Sequence, residues 1–168
     1  MEFEKVIRER KSTRLFSDKK VEKEVLDKIL EAGRLAPTAK NVQPIKIYVV
    51  QSEEGLKAID NASPCRYKAP QVLIVCGDKD KAFQKNGESI YYMDACIVGT
   101  HMMLEATNVG VDNIWIEFFD NDKLIEGLSI PEGLIPVLML PIGYKAKLCP
   151  PSPLHKIRKN IDKIVEYK

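Results

Sequence analysis

Four cations and two hydroxyls fall between Arg8 and Arg14 in the stretch RERKSTRLF, which closes on apolar Leu15 and Phe16. From a single turn, Arg10, Lys11, Ser12 and Arg14 can reach one anionic ligand. Guanidinium groups grip phosphate or carboxylate oxygens in pairs of parallel bonds, and a neighbouring hydroxyl adds a neutral one. Read alone, the stretch is equally a solvated helix end whose cations complement the helix dipole. A second basic segment, HKIRKN, lies near the C-terminus. In an extended chain Lys156 and Arg158 point the same way, which suits a clamp on phosphate, although a basic tail is the plain alternative. A third stretch, LAPTAKNVQP, supplies Thr38, Asn41 and Gln43, all able to bond the polar edge of a ring.

These groups need a scaffold. Val21, Val25, Leu26, Ile29, Leu30 and Ala32 recur at helical spacing in VEKEVLDKILEAGRLA, predicting a helix over 21–36 that Pro37 stops. Shorter helices are predicted over 3–10, 53–62 and 121–128. IKIYVV (45–50) reads as a strand, and QVLIVCG (71–77) as a strand covered on both faces. The segment 89–109 is apolar most of the way round, predicting a long, central, buried helix ended by Gly110. NIWIEFF (113–119) and LIPVLMLPIGY (134–144) are further strands. Pro136 and Pro141 suggest an edge or bulged position for the latter. Beyond Tyr144 the Pro-rich chain is too stiff and extended to be another core element. Helices mixed with such strands give an α/β or α+β class.

Composition narrows the chemistry. The chain has 168 residues, the size of one domain, with 45% hydrophobic and 30% charged residues. Its net charge of +2 is too balanced for a dedicated nucleic-acid binder, so any cationic site is local. No apolar run approaches the ~20 residues of a membrane span. MEFEKVIRERK lacks the apolar core of a signal peptide, so the expected location is cytoplasmic. Cys65, Cys76, Cys96 and Cys149 form no CxxC, and with His101 and His155 they offer no zinc-ligand pattern. Cys76 and Cys96 read as small core residues, and His101 as a satisfied core histidine in the long helix. No G-x-G-x-x-G or G-x-x-x-x-G-K-[ST] occurs, so a bound phosphate must be held by side chains rather than by a glycine cradle.

Taken in order, R-K-S-T-R-L-F, A-P-T-A-K-N-V-Q-P, W-I-E-F-F-D at 115–120, a late strand ending P-I-G-Y and a final K-I-R make the chain resemble the FMN-dependent nitroreductase family along nearly its whole length. The resemblance implies an α+β fold, a mixed sheet flanked by helices, spanning 1–168 as one FMN-binding domain. Residues 145–168 would form an extended C-terminal arm exchanged in a homodimer, with FMN at the subunit interface. It implies that Arg10, Lys11 and Ser12 hold the FMN phosphate and ribityl chain, joined at the phosphate by Lys156 and Arg158. Arg14 would lie near flavin N1 and O2, where a fixed guanidinium stabilises the charge left by reduction. Pro37, Thr38 and Asn41 would come from the second subunit and line the ring. Ile116, Glu117 and Phe118 would pass along the ring edge and offer backbone groups to N5 and O4. The implied activity is ping-pong transfer of hydride from NADH or NADPH, through flavin N5, to a nitroaromatic, quinone or similar small acceptor, with no protein nucleophile, nucleic acid or membrane involved. The alternatives are another flavin reaction on the same scaffold, such as dehalogenation or flavin cleavage, and a non-enzymatic FMN-binding protein for storage or sensing. Two positions depart from the family pattern. Ile45 stands where many relatives have Trp, and Phe118 where glycine is common, so its ring is expected to narrow the pocket or turn into the core. The chain is also too short for the extra helices that cover the site in larger members.

Overall fold

The computed structural model describes residues 1–168. A four-stranded sheet runs in the order β1–β2–β6–β5, with β1 at Ile45–Val50, β2 at Gln71–Asp78, β5 at Asp112–Asn113 and β6 at Leu134–Gly143. Its strand pairs are antiparallel, and a parallel bridge between Ser12 and Asn113 extends the edge. Strand alternation sorts β2 and β6 into two cores. Leu73, Val75, Leu138, Leu140 and Ile142 face α2 (Lys23–Arg34) and α4 (Tyr91–Asn108). Val72, Ile74, Cys76 and Met139 face the side closed by α3 (Glu53–Ala62) and α5 (Asn121–Leu128). Helices therefore cover both faces, as the unbroken apolar run of β2 requires. A short α1 (Phe3–Glu9) packs beside α4.

Helix α2 is shorter than its apolar period. Val21 is buried ahead of its first turn, with its N–H bonded to the buried Gln71 side chain, and Arg34 closes the last turn. Contact with α4 is close at Gly33, where a Cβ would sit 2.8 Å from Met102 Cγ. Gly110, at φ +79°, lies just past the end of α4, as expected of a left-handed cap. No helix is long and apolar enough to cross a membrane.

Several expectations change. β6 lies between β2 and β5, not at an edge. The bulge is present, as a register shift opposite Val75 and Cys76 beside Pro136. The strand expected over 113–119 is only Asp112–Asn113, followed by a bridge from Ile116 to Met139. A hairpin, β3 (Gln84–Lys85) and β4 (Glu88–Ser89), turns through Asn86 and Gly87, both at positive φ. Helix α4 is not buried all round: Tyr92, Met93, Ile97 and His101 are exposed on one side. His101 is thus no core histidine; its Nδ1 lies 2.9 Å from the Ile97 carbonyl. Beyond Tyr144 the chain makes only short turns at Pro153–Lys156 and Ile161–Lys163, and residues 156–168 are exposed throughout.

Candidate functional site

The basic N-terminal segment is stitched to the edge of the sheet. Thr13 N–H donates to the Asn113 carbonyl (3.0 Å), Ser17 N–H to Tyr144 (2.8 Å) and Ala146 N–H to Leu15 (3.0 Å). Thr13 is buried, and its hydroxyl donates to Asp112 Oδ1, whose second oxygen takes the Lys145 N–H. Alternation along this extended backbone turns Thr13 inward and leaves Ser12 and Arg14 facing outward.

There they meet the C-terminal segment. A cleft of about 210 Å³ is lined by Arg10, Lys11, Ser12 and Arg14 from one end of the chain and by Ser152, Leu154, His155 and Arg158 from the other. Lys156 lines an adjoining cleft with Arg158, Arg8 and His155. The cleft gathers charge of one sign. Burial first, and the Arg158 charge second, hold Arg10 below the usual arginine value. Neither Arg10, Lys11, Arg14, Lys156 nor Arg158 takes part in an ion pair, whereas Arg8 is neutralised by Glu4. Half-buried Arg10 faces the exposed Arg158 charge without an acid partner, which costs free energy, and an anion in the cleft would remove that cost.

The 116–118 segment divides by hydrogen bonding. Ile116 is buried, and both its backbone groups bond Met139 (3.0 and 2.9 Å), so its N–H is engaged within the sheet. Glu117 and Phe118 lie past this clamp, and neither N–H donates within the chain. The Glu117 carboxylate is held by the Trp115 indole N–H (2.7 Å). It faces Cys96, which is only half-buried rather than a core residue; burial, then the Glu117 charge, pushes its thiol up. Phe118 neither caps a pocket nor enters the core: its residue is 73% exposed.

Pro37, Thr38 and Asn41 do not join the cationic cleft within one chain. They sit on the loop after α2, where Lys40, Asn41 and Gln43 adopt positive φ. Thr38 Oγ1 accepts the Gln43 N–H, and Asp94 in the first turn of α4 accepts the Ala39 N–H (2.9 Å). Thr38, Gln43 and Ile45 line a separate hollow of about 190 Å³ against Val98.

A fold with a cationic cleft at its sheet edge and free N–H groups on a neighbouring loop can be compared with known proteins. The model of the Nitroreductase family matches residues 7–66 and 62–144. The chain belongs to that family. It is 30% identical over 154 residues to a provisionally named NADH dehydrogenase/NAD(P)H nitroreductase of Methanothermobacter thermautotrophicus, covering 88% of this chain and 79% of that one. It is also 30% identical over 162 residues to an FMN reductase [NAD(P)H] of Bacillus subtilis, covering 84% of this chain and 65% of that protein. The crystal structure of a nitroreductase family protein from Clostridium difficile 630 superimposes with a TM-score of 0.93 at 38% identity, covering 100% of this chain and 99% of that one.

Within this nitroreductase-family chain, sequence reading missed Ser152 and His155 in the cleft, although His155 adjoins the basic Lys156 and Arg158. It also missed Tyr67, which lies beside Arg14. The Tyr67 hydroxyl is pushed up first by its bond to Cys65 Sγ and then by burial, while the Arg14 charge pulls the other way.

Proposed function

We propose that the chain is an NAD(P)H-dependent FMN oxidoreductase that reduces a small acceptor such as a quinone or nitroaromatic. The observation that carries this reading is the meeting of Arg10 and Arg158, like-charged and without acid partners, in one cleft with Lys11, Ser12 and Arg14. A phosphate monoester fits that donor set: near neutral pH it is close to a dianion and takes charge-assisted bonds from several guanidinium groups at once. Arg10, Lys11, Ser12 and Arg158 would hold the phosphate end, with Lys156 beside them. Arg14 would place a cation at the pyrimidine edge of the ring. The free N–H groups of Glu117 and Phe118 would donate to the ring's N5 and O4 edge. When bound, the flavin supplies the two-electron chemistry between nicotinamide and acceptor.

The rest of the ring wall would come from Pro37, Thr38 and Asn41 of a second copy. A homodimer is supported by the apolar residues that one chain leaves exposed. Phe3 and Ile7 on α1, Met93 and Ile97 on α4, and Leu154, Ile157 and Ile161 on the arm 145–168 are all in this state. Apolar side chains exposed in this number are costly in water and ordinary at an interface between copies.

The test is spectroscopic. Protein purified with FMN should show bound-flavin absorption in the visible, and anaerobic NADH or NADPH should bleach it, with colour returning on adding a quinone or nitroaromatic. Protein that takes up no FMN refutes the reading. Bound FMN that neither nicotinamide bleaches would leave a binding protein, not an enzyme.

A further inference from the structure

The loop carrying the free N–H groups is fixed from an unexpected direction. Ser63 is 1% exposed, and its hydroxyl donates to the Phe118 carbonyl at 2.6 Å while accepting the Cys65 N–H at 3.1 Å. Next to it, the Asp120 N–H donates to the Ala62 carbonyl (2.9 Å). Glu117 and Phe118 are therefore held on both sides: by the Ile116–Met139 bridge before them and by the Ala62–Ser63 bonds after them.

The same turn reaches the cationic segment. The Phe16 N–H donates to the Tyr67 carbonyl (3.2 Å). Tyr67 and Lys68 turn the chain through positive φ, and the Arg66 guanidinium closes the turn on Asp60 and on the Ala69 carbonyl. One turn, 62–67, is thus bonded both to the loop with free N–H groups and to the extended segment that bears Arg14.

We propose that Ser63 is a positioning residue of the site: its hydroxyl holds the carbonyl of the Phe118–Phe119 peptide, and so anchors the end of the loop that presents the Glu117 and Phe118 N–H groups. The inference rests on the flavin reading above. A hydroxyl that only capped the turn would serve through its bond from Cys65, and the loop would not depend on it. Donor groups at a reacting ring act only in the right place, and displacement by about 1 Å costs up to about a hundredfold in rate.

The experiment compares wild type with Ser63→Ala and Ser63→Thr in two states. In the flavin-free protein, hydrogen exchange of the Phe119 and Asp120 N–H groups, which donate to the Glu117 and Ala62 carbonyls, is measured. Faster exchange in S63A and wild-type exchange in S63T are expected. In the FMN-loaded protein, S63A should lower kcat by about tenfold to a hundredfold. It should also shift the flavin absorption bands, and S63T should restore both kcat and the bands. Should S63A unfold, Ser63→Cys keeps the size and an acceptor but loses the strong donor, and should show the same losses. Wild-type exchange and kcat in S63A, or equal losses in S63A and S63T, would overturn the proposal. Wild-type protein that takes up no FMN would instead refute the flavin reading, and this inference would fall with it.

Discussion

Replacing Arg10 by Met should move stability and ligand affinity in opposite directions. Arg10 is half-buried, faces Arg158 and has no carboxylate partner. Methionine keeps most of the aliphatic stem, so the packing of the long side chain survives. In the ligand-free protein the substitution removes a repulsion between partly solvated charges, worth a few tenths of a kcal/mol. Without FMN, the variant should melt at the same temperature as wild type or slightly higher, and added salt should narrow the difference by screening. With FMN the sign reverses. Losing a charge-assisted hydrogen bond to phosphate costs about 1.5–3 kcal/mol, which is about a tenfold to hundredfold rise in Kd. Thermal melts without FMN, at low and high salt, give the first quantity. Quenching of flavin fluorescence gives the second. A variant that melts lower and binds FMN as wild type does would show that Arg10 is a structural side chain and that the cleft is not the phosphate site.

Two further outcomes concern groups outside the cleft. Asp94 is 2% exposed, and one of its oxygens accepts the Ala39 N–H while the other has no partner. Asp94→Ala leaves that N–H without an acceptor, so urea denaturation should show a loss of about 1–3 kcal/mol. An unchanged midpoint would mean the loop at 38–41 is held by other bonds. Burial pushes the Cys76 thiol from its ordinary 9.0 up to about 12. Between those values the folded chain keeps a proton that the unfolded chain releases. This contribution to stability is whole below about pH 9 and is lost as pH rises toward 12. Subtracting the denaturation profile of Cys76→Ala from wild type should reveal a slope of up to about 1.4 kcal/mol per pH unit in that window. A flat difference would show that Cys76 titrates alike in both states.

What the sequence made legible follows from the range of the interactions. Helix α2 and strand β2 announce themselves because their burial is written into local periodicity: one apolar face for α2, an unbroken apolar run for β2. The cationic segments are equally local, and so their convergence was a fair expectation once both were seen. Other features depend on partners far along the chain. NIWIEFF has strand-forming residues throughout, but β6 bonds it only as far as Ile116, and past that point the loop is set by Ser63. The apolar sides of α4 report only that the helix has no polar face, so one chain can leave Tyr92, Met93 and Ile97 exposed. Asn86-Gly87 was a readable hairpin signal that the surrounding polar residues obscured. Ser63 and Ser152 carry no signal at all, because an isolated serine gains its role only from what the fold places beside it.

The central claim is that the cleft between the N-terminal and C-terminal basic segments holds a phosphate. Calorimetric titration of the flavin-free protein with FMN and, in parallel, with riboflavin, which shares the ring and lacks the phosphate, tests it most directly. FMN should bind at least about a hundredfold more tightly, the advantage shrinking as salt rises, since two or more charge-assisted bonds are lost with the phosphate. Equal affinities for the two flavins would contradict it.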